Sequence, residues 1–184
     1  ESNWRFKSYE ARWDGVRPGS YESKGYLADL DLDGVSACIV YPTIGLRHFF
    51  KVHDGPLFSA ICQAYNEWLS EFCDQCDGRV LGIGMVNLDD VSEGLEQLEQ
   101  AKGLGLRGAM ITVYPPEDRP YGSPEYEPFW AKAEELGMPL SFHLGTERPM
   151  ETLLRPEGSA TATAFRVEWT ERSLARMIFG GVFE

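Results

Sequence analysis

The sequence predicts an α/β domain built on a parallel sheet, and two observations lead to that prediction. Short, almost continuously apolar segments alternate along the chain with amphipathic segments of helical spacing, as in β-α-β units whose strands are covered on both faces. The alternation is strict, which favours parallel strands joined by right-handed crossovers. The pattern fits a doubly wound sheet as well as a closed barrel, although small residues within the strands suit the crowded interior of a barrel. These small residues are Ala37, Gly82, Gly84, Ala109 and Ser141.

The predicted elements follow one another from the N-terminus. Residues 1–26 have no hydrophobic period and include a turn at 17–20, so we expect a loop that could contain a short helix. A helix over 24–33 should end at Gly34, because glycine suits the left-handed conformation that closes a helix. Strands are predicted over 35–41, 80–86, 108–113 and 139–144. Amphipathic helices are predicted over 57–75, 91–102, 124–136 and 164–179.

The composition limits the kinds of partner that the protein can have. The chain has 184 residues with 17 basic and 29 acidic side chains, which gives a net charge of −12. Nucleic acids and anionic membranes are bound by clustered Lys and Arg, so this acidic excess argues against both as main partners. No apolar run approaches the roughly 20 residues of a membrane span, and the N-terminus lacks the apolar core of a signal peptide. We therefore expect a soluble, cytoplasmic protein that forms a single domain over residues 1–184.

Two motifs have ordinary structural explanations. Cys73 and Cys76 form a C-x-x-C pair, but the pair falls at the end of a helical segment, whereas redox-active pairs lie at a helix N-terminus that stabilises the thiolate. No second pair follows at zinc-finger spacing, so structural thiols are predicted. Residues 103–108 match G-x-G-x-x-G, but they close a helix and open a strand, which is the reverse of a dinucleotide-binding turn. A glycine that ends the helix is predicted instead.

The candidate site residues lie where the predicted strands end. His143 ends the last predicted strand, and functional groups gather at that end of parallel α/β sheets. An imidazole there can bind a metal, and a histidine satisfied by the neighbouring backbone is an equally good interpretation. Arg47 and His48 belong to a long loop, 44–56, which suits either substrate contact or a solvated surface. Further candidates at the same end are His53, Asn87, Asp89, Tyr114, Glu147 and Arg148.

An ordered set of sequence segments resembles one enzyme family. The segments include Asp-Leu-Asp-Gly-Val at 31–35, Tyr-Asn-Glu-Trp-Leu at 65–69, Leu-Gly-Leu-Arg-Gly-Ala at 104–109 and Phe-His at 142–143. In this order they are similar to the amidohydrolase-related enzymes of the aminocarboxymuconate-semialdehyde decarboxylase type. The likeness extends from near Arg17 to the last residue. It implies a partial TIM (β/α)₈ barrel in which the four predicted strands are the second to fifth strands.

The resemblance also implies a metal centre. In this family a divalent metal, usually zinc, is held by a His-x-His or Glu-x-His pair on the first strand, a histidine on the fifth and an aspartate on the eighth. His143 matches the fifth-strand ligand. A histidine on the sixth strand commonly serves as acid and base. The other positions lie outside this sequence, which does not begin with Met and stops directly after an apolar helical pattern, so we expect a piece of a longer barrel.

The function that the resemblance implies for the intact protein is metal-dependent hydrolysis or non-oxidative decarboxylation of a small carboxylated or cyclic substrate. Arg47, His48 and Tyr114 are then the expected substrate contacts. The alternative is a catalytically incompetent barrel fragment or a non-enzymatic interaction module that lacks the full metal site. Assembly into a homo-oligomer is compatible with either function.

Overall fold

A computed structural model of the chain describes residues 12–116, 118–147 and 167–184. The described α-helices are α1 (Ser23–Leu32), α2 (Leu46–Lys51), α3 (Gly55–Asp74), α4 (Val91–Gly103), α5 (Glu127–Leu136) and α6 (Val167–Phe179). The strands are β1 (Cys38–Val40), β2 (Val80–Met85), β3 (Gly108–Thr112) and β4 (Leu140–His143). Short 3₁₀ helices cover Trp13–Gly15, Pro18–Ser20 and Pro124–Tyr126. The predicted alternation of strands and helices is confirmed.

The four described strands form a parallel sheet in the order β1-β2-β3-β4. A doubly wound sheet reverses its strand order at a switch point, whereas a barrel wall adds each new strand on the same side of the previous one. The sheet also curls, because the hydroxyl of Tyr41, just after β1, lies 3.0 Å from the hydroxyl of Ser141 in β4. The fold is therefore a half-barrel, which confirms the predicted partial TIM barrel.

The core lies between the convex face of the sheet and the helices. Ala109 and Ile111 of β3 are fully buried there against Leu69 of α3 and Leu98 of α4. Phe129, Trp130 and Ala133 of α5 and Met177 of α6 extend the same cluster. These residues recur at helical spacing, so the amphipathic faces read from the sequence are the faces that cover the sheet.

Two glycines of β2 and Ala109 of β3 face the helices instead of the interior of the barrel, so the expectation for these three residues was wrong. A Cβ atom on Gly82 would lie 2.8 Å from Leu69 and 2.9 Å from Leu106. A Cβ atom on Gly84 would lie 3.0 Å from Asn66. The missing side chains let α3 approach the backbone of β2 closely. Ser141 does lie on the concave face, as predicted.

The predicted helix-closing glycines are confirmed. Gly34, after α1, has φ +68°, and the backbone N–H of Val35 donates to the carbonyl of Leu30. Gly105, after α4, has φ +79°, and the backbone N–H of Leu106 donates to the carbonyl of Ala101. Both are left-handed turns that satisfy the last carbonyls of a helix. The G-x-G-x-x-G segment therefore ends α4, as its position indicated.

Strand β1 is shorter than the predicted strand over 35–41. The guanidinium of Arg79 explains why the chain before Cys38 does not pair with β2. Its Nη2 donates to the carbonyl of Val35 and its Nε to the carbonyl of Ser36, at 2.8 and 2.9 Å, while Nη1 binds Asp31 at 2.7 Å. A side chain thus takes up carbonyls that a longer strand would have offered to the sheet.

The region 44–56, predicted as a loop, contains α2 and the first two residues of α3. Asp54 starts α3 by accepting a hydrogen bond from the backbone N–H of Leu57 at 2.8 Å. The helix predicted over 124–136 begins with a 3₁₀ turn after Ser123, and its α-helical part is α5. Helix α6 is described from Val167 onward, so the predicted start at 164 lies outside the described residues. Among the described helices, none has both the length and the apolarity needed to span a membrane.

Candidate functional site

The alternation of side chains along β4 decides the face on which His143 lies. The ring of Phe142 stacks on the ring of Tyr121 with 5.7 Å between centroids and packs against the core under the helices. Successive side chains of a strand point to opposite faces, so the imidazole of His143 points to the concave face. His143 also pairs in register with Thr112, the last residue of β3. The structure therefore places His143 at the C-terminal end of the half-barrel, on its inner side.

One ring nitrogen of His143 is occupied, which defines what the other can do. Nδ1 lies 2.7 Å from the carbonyl oxygen of Leu144. A carbonyl can only accept, so Nδ1 carries the proton and the neutral ring has its lone pair on Nε2. An imidazole oriented by a backbone carbonyl through one nitrogen is the usual form of a metal-binding histidine. The half-buried ring of His143 thus offers Nε2 as a donor toward the concave face.

The turn after His143 is tied to the neighbouring strand. Gly145 has φ +90°, a conformation that other residues adopt only with strain. Thr146 is fully buried, and its hydroxyl donates to the carbonyl of His143 at 2.7 Å and accepts from the backbone N–H of Val113 at 2.8 Å. The hydroxyl of Thr112 contacts the carbonyls of Tyr114 and Thr146. These bonds join the ends of β3 and β4.

Arg47 and His48 lie on α2, which follows β1 at the same end of the sheet as His143. The helix starts close to the end of β2, since a Cβ atom on Gly45 would lie 3.2 Å from the sulfur of Met85. Arg47 is exposed, and His48 is half-buried with Nδ1 3.2 Å from the carbonyl of Gly45. Both side chains are therefore at the predicted end of the barrel, on a helix instead of a loop.

Tyr114 lies just beyond β3 but is enclosed by α6. Its ring is 4.4 Å from the ring of Trp169, and the guanidinium groups of Arg172 and Arg176 lie over it at 5.6 and 5.2 Å. Only 4% of the residue is exposed. The structure thus gives Tyr114 an evident packing role between β3 and α6, and its predicted contact with substrate stays a prediction.

The remaining candidates occupy structural positions or the surface. Asn87 is buried, with its amide Nδ2 3.0 Å from the hydroxyl of Ser59 and its Oδ1 accepting from the backbone N–H of Asp89 at 3.0 Å. Glu147 is 3% exposed, and its carboxylate accepts a hydrogen bond from the backbone N–H of Gly145 at 3.1 Å. His53 is exposed after α2. Arg148 lies outside the described residues.

Sequence reasoning missed the polar groups that support His143. Thr112 and Thr146 did not stand out, because a threonine at a strand end is common and a bond between strands leaves no trace in local spacing. The prediction for Tyr41 is a strand position only, whereas its hydroxyl reaches across the concave face to Ser141. The one signal available was the glycine at 145, which indicated a tight turn next to the histidine.

The described residues fit one ligand of a metal centre. Within residues 12–116, 118–147 and 167–184, no three His, Cys, Asp or Glu side chains converge closely enough to hold a metal ion. His143 has the donor chemistry that a divalent metal needs, with its tautomer set by Leu144. A metal held by imidazole normally has two or three further protein ligands. His143 is thus suited to be one member of a larger ligand set.

The thiols of the C-x-x-C pair, Cys73 and Cys76, are not activated. None of the four forms a disulfide. Burial raises the pKa of Cys73 to about 11, and burial also raises the pKa of Cys76, whose thiol donates to the carbonyl of Phe72 at 3.2 Å. A raised thiol pKa disfavours the nucleophilic thiolate. These observations agree with the predicted structural thiols.

A groove of about 840 Å³ lies on the convex side of the molecule, between α5, β4 and the last residues of the chain. Phe142, Leu174 and Phe183 are among the residues that line it. His143, Arg47 and His48 do not line it, because they lie at the mouth or on the concave face. The groove is therefore separate from the candidate site.

A parallel half-barrel with a histidine at the end of a strand defines the class as a (β/α)₈-barrel protein with a candidate metal site. Comparison with family models identifies the family: residues 42–181 match the amidohydrolase model. The chain belongs to the amidohydrolase family. This confirms the resemblance described from the sequence segments.

The chain is similar to several known proteins. It is 27% identical over 133 residues to gamma-resorcylate decarboxylase of Rhizobium sp. (strain MTP-10005), which covers 67% of this chain and 40% of the relative. The crystal structure of an amidohydrolase from Mycobacterium avium subsp. paratuberculosis K-10 has a TM-score of 0.76 and 23% identity, covering 90% of this chain and 45% of that one.

A third protein is a dihydroxybenzoic acid decarboxylase from Polaromonas sp. JS666, whose structure contains bound manganese and the inhibitor 2-nitroresorcinol. It has a TM-score of 0.65 and 19% identity, covering 86% of this chain and 49% of that one. The chain thus spans about 40% of the curated relative and about half of each of these two solved proteins. The structural likeness supports the barrel fold.

Proposed function

We propose that the intact protein is a metal-dependent decarboxylase that removes carbon dioxide from a small cyclic carboxylic acid. The observation that carries the proposal is His143, which presents Nε2 on the concave face of a half-barrel in a chain of the amidohydrolase family. The similarity to gamma-resorcylate decarboxylase favours decarboxylation over hydrolysis, the other reaction that such a metal site supports.

His143 would hold a divalent metal together with ligands from outside the described residues. When bound, a divalent metal polarises a substrate oxygen and stabilises the negative charge that develops in the reaction. Zinc is the ion expected from the resemblance, and the manganese in the Polaromonas structure makes manganese the alternative. Both ions accept imidazole nitrogen as a ligand.

The exposed Arg47 and the half-buried His48 would orient the substrate from α2. A guanidinium binds a carboxylate through two parallel hydrogen bonds, which would align the bond that breaks. The bond between the ring carbon and the carboxyl carbon then breaks, carbon dioxide leaves, and the ring carbon takes up a proton. The Nδ1 of His48 faces the carbonyl of Gly45, so its Nε2 is the atom available to the substrate.

The experiment that tests this proposal uses the full-length protein. The metal-free protein is reloaded with Zn²⁺ or Mn²⁺ and incubated with 2,6-dihydroxybenzoate, and the loss of substrate and formation of resorcinol are followed by chromatography. We expect turnover that depends on the metal and is abolished by His143→Ala. In parallel, an ester or amide of the same ring tests for hydrolysis. If only the ester or amide is turned over, the proposed reaction is hydrolysis and not decarboxylation.

The alternative is a protein without catalytic activity, a barrel fragment or an interaction module. It rests on the observation that the described residues bring no three metal-ligand side chains together. The complete open reading frame discriminates between the two proposals. A His-x-His or Glu-x-His pair upstream of residue 1 supports the enzyme, and its absence from the whole frame supports the module.

A further inference from the structure

The hydroxyl of Thr146 links the backbone of His143 to the neighbouring strand end. It is buried, and it makes two hydrogen bonds in opposite directions: it donates to the carbonyl of His143 at 2.7 Å and accepts from the backbone N–H of Val113 at 2.8 Å. Val113 follows the last residue of β3, where the backbone ladder with β4 ends at the pair Thr112–His143. The side chain therefore continues the ladder beyond the last strand pair.

The same turn also sets the ring of His143. The imidazole Nδ1 is bound to the carbonyl of Leu144, one residue before Gly145 with its φ of +90°. Thr146 fixes the end of this turn, and its main-chain carbonyl is held by the hydroxyl of Thr112. If the turn moved, the carbonyl of Leu144 would move with it, and the direction in which Nε2 points would change.

We propose that Thr146 is a positioning residue that holds the imidazole of His143 in the orientation needed to bind a divalent metal. This inference rests on the proposed function, because it takes His143 as a ligand. Groups that orient a metal-binding histidine commonly change metal affinity by about 10- to 100-fold when they are removed. Thr146 would act through the backbone of the turn, without touching metal or substrate.

A matched control is available in Ser173 of α6. Its hydroxyl is also buried and donates at 2.6 Å to the carbonyl of Val113, the residue whose N–H binds Thr146. Thr146→Val and Ser173→Ala each remove one buried hydroxyl that is hydrogen-bonded to the backbone of Val113. Thr146 is bonded to His143, whereas the bond of Ser173 is to Val113. A purely structural role would affect both variants in the same way.

The test measures the affinity of the full-length, metal-free protein for Zn²⁺ and Mn²⁺ by chelator competition, together with the visible spectrum of the Co²⁺ form and the thermal midpoint. We expect Thr146→Val to weaken metal binding by about 10- to 100-fold and to alter the Co²⁺ spectrum. Thr146→Ser, which keeps the hydroxyl, should restore both. Ser173→Ala should lower the thermal midpoint but leave metal affinity unchanged.

Two results would overturn the inference while leaving the proposed function intact. One is a Thr146→Val protein that binds the metal with wild-type affinity, while the His143→Ala protein no longer binds it. The other is an equal loss of affinity in Thr146→Val and Ser173→Ala, which would indicate a general loosening of the strand ends. Unchanged metal binding in His143→Ala would instead refute the metal site itself.

Discussion

At the scale of single residues, buried polar side chains complete the backbone hydrogen bonding where the sheet ends. Asn66 of α3 is 3% exposed, and its side-chain amide donates to the carbonyl of Met85 at 2.9 Å while its Oδ1 accepts from the N–H of Met85 at 2.7 Å. Met85 lies beyond the last pair between β1 and β2, Val40 with Gly82. Asn66 thus replaces the strand partner that β1 no longer supplies.

Asn66→Ala should lower the free energy of unfolding by about 2–3 kcal/mol, because it leaves both polar groups of Met85 buried without their partner. Urea unfolding followed by circular dichroism measures the change. The control is Gln63→Ala on the exposed side of the same helix, where the expected change is within about 0.5 kcal/mol. Equal effects of the two substitutions would show that the bonds of Asn66 contribute little.

The positions of the candidate site residues could be predicted only in part. The positions of His143, Arg47 and His48 were predictable because apolar runs show where strands end. In a parallel sheet the C-terminal ends of all strands lie at the same edge. The contributions of Thr146, Asn66 and Tyr41 could not be predicted, since each makes a hydrogen bond to a residue 19 or more positions away in the sequence. Such pairs depend on tertiary register, which hydrophobic spacing does not encode.

At the scale of elements, helix starts and ends follow local chemistry. Asp90 begins α4, and its carboxylate accepts hydrogen bonds from the backbone N–H groups of Ser92 and Glu93 at 2.8 and 3.1 Å. The hydroxyl of Ser92 and these backbone donors lower the pKa of Asp90 below its usual value. Because the folded-state pKa is lowered, ionised Asp90 stabilises the fold above the unfolded-state pKa of about 3.9.

Asp90→Ala should therefore cost about 1 kcal/mol at neutral pH through loss of the N-cap. Asp90→Asn keeps a capping oxygen and removes the charge, so it should cost less. The stability difference between the wild type and Asp90→Asn should shrink as the pH falls from about 4 through the lowered folded-state pKa. Unfolding measurements between pH 7 and the acid limit of the fold test this, and a constant difference over that range contradicts it.

The C-terminal end of α6 packs closely against the chain segment before α5. A Cβ atom on Gly122 would lie 2.4 Å from the carbonyl of Arg176, and one on Gly180 would lie 2.6 Å from the Cα of Gly122. Backbone meets backbone here, so a methyl group can be accommodated only if α6 moves. Because α6 comes this close, Met177 reaches the hydrophobic core and the hydroxyl of Ser173 reaches the carbonyl of Val113, just after β3.

Gly122→Ala should destabilise the protein by about 1–3 kcal/mol, because the added methyl group overpacks this contact. Gly103→Ala is the matched control: Gly103 ends α4, and its added Cβ would meet nothing within 4 Å. That substitution should be neutral or stabilise by up to about 1 kcal/mol. Chemical unfolding of both variants measures the difference, and an unaffected Gly122→Ala protein would refute the close packing of α6.

The type and order of the elements were predictable, but some boundaries were not. Apolar runs placed the four strands that the structure describes, and glycines placed the ends of α1 and α4. Helix α2 was missed because six residues are too few to show a period. Strand β1 was predicted too long because the segment 35–41 is mostly apolar, while the guanidinium of Arg79 binds the carbonyls of Val35 and Ser36.

At the scale of the whole molecule, the described sheet has two edge strands, β1 and β4. Apolar side chains are exposed near both edges, including Ile39 of β1 at 57% and Phe183 beside the groove at 67%. Ile178 and Phe179 of α6 are also exposed. Unpaired strand edges beside apolar surface promote association.

The 184-residue chain expressed by itself should therefore associate with itself as its concentration rises. Light scattering after size-exclusion chromatography measures the mass, and a double variant, Ile178→Lys with Phe179→Lys, should reduce association by placing charges on the exposed apolar surface. A chain that stays monomeric up to about 0.1 mM would contradict this, because exposed edges and apolar patches drive association at such concentrations.

Metal binding by the full-length protein shows whether His143 is a ligand of a divalent metal. Isothermal titration of the metal-free protein with Zn²⁺ and Mn²⁺ should show one tight site in the wild type. His143→Ala should lose about 100-fold or more in affinity, because a direct ligand contributes more than the groups that orient it. His53→Ala, which removes an exposed histidine after α2, should bind like the wild type. An unchanged stoichiometry and affinity in His143→Ala would show that His143 is not a metal ligand.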